Sequence, residues 1–281
     1  MRIKFKIPFS LYENIKKSYK RGMIENSITI LAIFFGAIVG SFLNVVILRI
    51  PASLSIVFPA SRCPKCLAGI KWYDNIPILS FLVLRGKCRS CKTRISWQYP
   101  LVELLMAVLS YALLQRFFIT LPYFIYFIFS AALLAIIFID FHHQIIPDVI
   151  SLPGIVLGFV CSFVNPYVTW QSSGVGLLIG GGSLYLLALG YYLVKKVEGM
   201  GGGDIKLLAM IGAFLGWQAL PFVVFSSSLV GAVFGIGAMI KQKKGGQTVI
   251  PYGPFLSLGA LVYLFYSELV HQYVYGIILM Q

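Results

Sequence analysis

Nine acidic side chains occur in 281 residues, so the groups able to do acid–base chemistry are quickly sorted. Glu13, Glu25 and Asp74 fall in polar stretches, where solvation accounts for them. Asp140 and Asp204 do not, because Asp140 follows the apolar run 121–139 and Asp204 opens the apolar run 205–215. An ionisable group at membrane depth is costly, and function is the first explanation for it. Two carboxylates close together cannot both ionise easily, so one keeps a proton while the other stays charged. Such a pair can activate water or hold a cation or proton in transit. Asp148, just after Pro147, reads instead as a helix N-terminal residue favoured by the dipole. Glu103, near the start of another apolar run, is expected to pair with a loop Arg or Lys. Lys206 points to a different helix face from Asp204 and reads as an interfacial anchor.

The approach to Asp204 is glycine: Gly199, Gly201, Gly202 and Gly203, broken only by Met200. Glycine tolerates φ > 0 and lets another backbone come close. Gly201, Gly202 and Gly203 are therefore the expected place for a substrate strand to reach Asp204. Asp204 is also placed to cap a helix and to feel its positive end, whereas Asp140 ends one. The dipoles favour an ionised Asp204 and a protonated Asp140.

The second constellation is Cys63-Pro-Lys-Cys66 and Cys88-Arg-Ser-Cys91, two pairs separated by 21 residues. That spacing is close to paired zinc knuckles, in which four thiolates close a tetrahedral, structural site. Two disulfides or redox-active pairs are the alternative. Cys161, alone in an apolar run, is a small buried hydrophobe. His142 and His143 are adjacent, so they face different sides of a helix, and no HExxH accompanies them.

The elements that must carry these residues are membrane spans. The chain is 59% hydrophobic and 11% charged, far from the roughly 25% charged residues of soluble domains. The fold class is an all-α polytopic membrane protein of about eight transmembrane helices, with a small cytoplasmic zinc-binding loop between helices 1 and 2. The runs are 27–50, 99–118, 121–139, 147–163, 174–194, 205–217 (short for a span), 222–240 and 254–269. The organisation follows: 1–26 a basic amphipathic tail, 27–50 the first span, 51–99 the cysteine loop, 100–281 the core carrying both aspartates.

The net charge of +14 then speaks for orientation and contact with anionic lipid, not for nucleic acid. Loops after the odd spans hold the basic clusters, Lys241–Lys244 included, or the acidic stretches, so they are cytoplasmic. The seven Lys/Arg of the tail conflict with eight-span parity, and three later clusters outvote them. A reducing cytoplasm also argues against disulfides in the loop.

Several stretches together carry a resemblance. Gly201-Gly-Gly-Asp204 fits the GxGD signature of intramembrane aspartyl proteases. Gly40-Ser-Phe-Leu-Asn44, both cysteine pairs, Tyr99-Pro-Leu-Val-Glu103, Asp140 through Ile146-Pro-Asp148, the glycine run with Asp204, and Pro251-Tyr-Gly-Pro254 all stand in this order. The chain thereby resembles the bacterial prepilin peptidases (type IV leader peptidases) over about residues 36–255; the long basic tail is the one departure. The resemblance implies that Asp140 and Asp204 are catalytic, and that basic leaders are cleaved from type IV prepilins and type II secretion pseudopilins. It implies location in the bacterial inner membrane with the site facing the cytoplasm. Members with the cysteine loop commonly methylate the new N-terminus using S-adenosylmethionine, and no glycine-rich nucleotide turn here locates that cofactor. The alternative is a membrane transporter using Asp140 and Asp204 as ion or proton ligands.

Overall fold

The computed structural model describes residues 23–197, 201–242 and 251–275. The tail 1–22, Glu198 to Met200, and Lys243 and Lys244 lie outside them. Every regular element among the described residues is helical, apart from two isolated β-bridges. In chain order these are α1 Met23–Arg49, a 3-10 turn Trp72–Asn75, α2 Leu79–Val83, α3 Gln98–Phe117, α4 Leu121–His143 and α5 Asp148–Cys161. There follow α6 Trp170–Lys195, α7 Gly202–Leu215, α8 Ala219–Gln242 and α9 Gly253–Val270, with a π-helical turn at His271–Tyr275.

The eight expected apolar runs each became a helix. Six are long and apolar enough to cross a membrane: α1, α3, α4, α6, α8 and α9. The other two, α5 and α7, have 14 residues each. At 1.5 Å per residue they reach about 21 Å, less than a full hydrocarbon core. Their shortness has a use, because both start at the acidic stretches.

The chain divides into two compact units. The first comprises Met1–Asn44 and Ala60–Tyr123. In it the small residues of α1 lie against α3: a Cβ on Gly36 would stand 2.7 Å from the Met106 carbonyl, and one on Gly40 would stand 2.7 Å from Glu103 Cα. Polar groups staple this seam, with Ser110 Oγ donating to the Ala32 carbonyl and Asn44 Nδ2 to the carbonyls of Gly40 and Tyr99.

The second unit comprises Val45–Pro59 and Phe124–Gln281. Its centre is α7, where every residue from Leu207 to Leu215 is buried. No membrane helix can bury so long a run unless its neighbours come close, and glycine lets them. Gly176 of α6 meets Gly212 backbone to backbone, Gly180 faces the Leu208 carbonyl, and Gly154 and Gly158 of α5 seat Met210 and Phe214. From α4, Phe129 stacks on Phe214 with centroids 4.5 Å apart.

Candidate active site and metal centre

The four cysteines belong to the first unit, and each pair is set by its own local turn. In the first, the Leu67 N–H donates to the Cys63 carbonyl and the Cys63 N–H to Ala68; Leu67 takes φ +58°. The second repeats this two-bond logic, with Lys92 donating to Cys88, Cys88 to Thr93, and Lys92 also at φ +58°. Bridges Arg62–Gly69 and Lys87–Arg94 close the two knuckles. The four Sγ atoms lie within 4.8 Å of one another, with Cys63–Cys91 at 3.8 Å and Cys66–Cys88 at 3.9 Å. Tetrahedral sulfurs about 2.3 Å from zinc stand about 3.8 Å apart, whereas a disulfide needs about 2.05 Å. The cysteines are free thiols, and the cluster fits a metal site.

Electrostatics agree with that fit. Hydrogen bonds from the Thr93 side chain and amide bring Cys91 down to about 6. Cys66, which the Ala68 amide alone would lower, is pushed up to about 11 by Cys91 beside it and by burial. Adjacent sulfurs thus compete for charge, and a divalent cation removes the competition. Arg89 ties the second knuckle to the 3-10 turn by two bonds to Asp74, 2.6 and 2.8 Å. Glu103 does not find the basic partner expected of it: its Oε2 accepts the Ile78 N–H at 2.7 Å. Ile78 holds φ +62°, so that bond secures a backbone turn an isoleucine would otherwise resist.

The acidic stretches belong to the second unit. The helix α4 does not stop before Asp140; it continues to His143 and ends where Gln144 turns to φ +55°. Asp140 therefore sits in the last turn, 4% exposed, its carbonyl accepting the Gln144 N–H. The helix α7 begins earlier than expected, at Gly202, with Gly201 as its N-cap. Asp204 is thus a first-turn residue and not the cap. It is half-buried, and near enough to Asp140 for that charge to act on it.

The glycines turn out to be of two kinds. Positive φ is not their reason, since Gly201 has φ −71° and only Gly86 and Gly216 are left-handed among the described glycines. A Cβ on Gly203 would lie 2.9 Å from Ile146 Cβ, so this glycine lets α7 close on the 144–147 link. Gly201 and Gly202 face open space within 4 Å. The same Ile146 touches the start of α9, where a Cβ on Gly253 would meet its Cδ1 at 3.0 Å and Asp140 Oδ2 at 2.7 Å. The Gly253 N–H donates to that Oδ2 at 3.0 Å. Tyr252 fixes the segment through hydroxyl contacts to Ser227 and Ser228.

One further sequence reading changes here. Lys206 is no free anchor: its Nζ bonds both oxygens of Asp148, at 2.7 and 2.8 Å, and so joins the starts of α5 and α7. The histidines join no metal group, for Cys63, Cys66, Cys88 and Cys91 form the only potential ligand cluster found among the described residues. Gly253 and Ile146 were missed as site residues. The available signal was the Gly-Pro pair at 253–254, a helix start whose first N–H is free to bind elsewhere.

A many-helix membrane protein with a four-cysteine cluster and a buried carboxylate near a second one defines the class. Family comparison then names the lineage: the bacterial peptidase A24 N-terminal domain matches residues 34–117, and the type IV leader peptidase family matches residues 127–236. Three proteins described as prepilin leader peptidase/N-methyltransferase align along most of the chain. The one from Pseudomonas putida is 35% identical over 86% of this chain and 91% of its own length. That from Pseudomonas aeruginosa is 37% identical (84% and 89%), and that from Neisseria gonorrhoeae 39% identical (83% and 88%). No solved structure matches. The chain belongs to the type IV leader peptidase family.

Proposed function

We propose that the protein is a prepilin leader peptidase whose catalytic groups are Asp140 and Asp204. It removes the basic leader of type IV prepilins and type II secretion pseudopilins and methylates the new N-terminus. The observation that carries the catalytic reading is the meeting of two carboxylates 64 positions apart, one 4% exposed, at the ends of separate helices. One carboxylate is ionised and takes a proton from water as the water oxygen attacks the scissile carbonyl. The other is protonated and gives its proton to the carbonyl oxygen. Collapse of the tetrahedral species breaks the C–N bond; the first proton leaves with the amine, and the proton on the former carbonyl oxygen returns to the carboxylate that gave it. Open space at Gly201 and Gly202 gives an extended substrate backbone its path to Asp204.

The site faces the cytoplasm of the bacterial inner membrane, where a basic leader is held back while the apolar segment spans. Zinc is the metal for which Cys63, Cys66, Cys88 and Cys91 provide a closed thiolate set, and it would hold the loop together. Methyl transfer requires S-adenosylmethionine; among the described residues no side-chain cluster defines its site. A transporter using the same aspartates is not favoured, because the relatives that align along most of the chain are described as prepilin leader peptidase/N-methyltransferases.

Purified protein in lipid vesicles is incubated with a prepilin, and leader loss is followed beside Asp140→Asn and Asp204→Asn. Each variant should lose at least about a thousandfold in kcat, since acid–base roles in a concerted pair are not separable. Full activity in either one ends the aspartyl reading.

A further inference from the structure

The segment that touches Asp140 most directly lies beyond the stretch matched by the family's peptidase domain, which ends at residue 236. Gly253 is the first residue of α9, and its N–H is one of the four that a helix leaves without an internal partner. Here that N–H points into a buried carboxylate at 3.0 Å. The expectation that only Asp204 would meet the positive end of a helix therefore fails. Asp204 lies in the first turn of α7, and Asp140, although in the last turn of α4, has its carboxylate against the start of α9.

We propose that the Gly253 amide is the positioning donor of Asp140: it occupies Oδ2, leaves Oδ1 for proton transfer, and keeps the negative charge of the pair on Asp140. The inference rests on the peptidase reading and adds an assignment of roles to it. An amide N–H can only donate, so Oδ2 must accept, and a proton placed on Asp140 has Oδ1 as its one remaining seat. A charge-assisted bond together with a helix N-terminus favours the anion. Among the described residues no amide from another helix donates to Asp204, and the nearby cation, Lys206, is bound to Asp148. Asp140 then acts as the base toward water, and Asp204 carries the proton that goes to the scissile carbonyl oxygen. Glycine is required at 253 because any Cβ would stand 2.7 Å from Oδ2 and 3.0 Å from Ile146.

The decisive variant changes one atom. Glycolic acid in place of Gly253, introduced in the full chain, replaces the N–H by an ester oxygen and leaves the side-chain space unchanged. The expected result is a roughly ten- to hundredfold fall in kcat, the range for a hydrogen bond to a charged group, with KM for the prepilin unchanged. The acid limb of the pH–rate profile should move up by about one unit or more, because the anion has lost its donor. Wild-type kcat with an unmoved acid limb overturns the inference, as does a loss that appears wholly in KM. A carboxylic-acid band that persists in Asp204→Asn at neutral pH overturns the charge assignment. These failures are distinct from failure of the peptidase reading, which Asp140→Asn alone decides: activity there removes both, and inactivity there leaves the ester result to judge Gly253.

Discussion

The cysteine cluster and the acidic pair are built by opposite strategies. All four sulfurs fall between residues 63 and 91, and each pair is shaped by a turn of six residues whose hydrogen bonds are all local. The acidic pair needs three stretches, around 140–148, 201–206 and 251–254, which meet only when four helices have packed. In the first region the sequence motif is nearly the geometry. In the second it names the reacting groups and says little about what holds them. A site made of local turns tolerates damage elsewhere in the fold, whereas a site made by close approach is exposed to single methyl groups.

That contrast can be broken most forcefully at Gly203. Alanine there would push its Cβ to 2.9 Å from Ile146 and pry α7 from the 144–147 link. Overpacking of this kind costs about 1–3 kcal/mol, so prepilin cleavage should fall roughly ten- to hundredfold through misplacement of Asp204. Unchanged kcat would mean that Ile146 can move aside without disturbing the pair. Next in size, Cys63→Ser should take bound metal from about one ion per chain to nearly none, measured by elemental analysis of protein in vesicles. Proteolysis of the 60–97 loop should speed up, while cleavage of prepilin should fall less than in Gly203→Ala. A cleavage loss as deep as that of Asp204→Asn would remove the separation between the two regions.

What was legible beforehand follows the same division. Both CxxC pairs were assigned from spacing, and the bonds that shape them confirm a metal-fitting cluster because nothing distant is needed. Eight apolar runs gave eight helices, but hydropathy has no view of ends, so α4 passing through Asp140 and α7 starting at Gly202 were not foreseen. Gly253 touches Asp140 across 113 positions, a pairing no local periodicity encodes. Glycine was read as freedom in φ, yet at Gly203 the sterics of a neighbour decide. The ion pair of Lys206 escaped for a similar reason, since only the meeting of α5 and α7 brings Asp148 to it.

Gly202 sharpens the comparison from the other side, because it neighbours Gly203 and yet has nothing within 4 Å. Alanine in a helical turn should stabilise by about 0.5–1 kcal/mol relative to glycine, so thermal stability should hold or rise. If the open space is the path of the substrate, KM for prepilin should rise, by about threefold or more for a contact of about 0.7 kcal/mol lost, with kcat little changed. A variant more stable and equally avid would leave Gly202 as unused room and would move the substrate path away from this turn.

The smallest effect is expected at Lys206 and Asp148, although this pair sits two residues from Asp204 and looks indispensable. Its side chains are 37% and 56% exposed, so water screens them and each can be solvated alone. Exposed pairs contribute about 0–1 kcal/mol, which limits the loss in Lys206→Ala to about fivefold in cleavage rate. The close approach of α5 and α7 is already secured by Gly154 on Met210 and Gly158 on Phe214, which do not depend on charge. Raising salt should therefore weaken what little the pair adds. Reversing both charges, Asp148→Lys with Lys206→Asp, should restore most of the loss, since the pair acts through its mutual attraction. A fall beyond tenfold that the double reversal does not rescue would mean that Lys206 serves Asp204 directly, and the proton assignment within the pair would then have to include it.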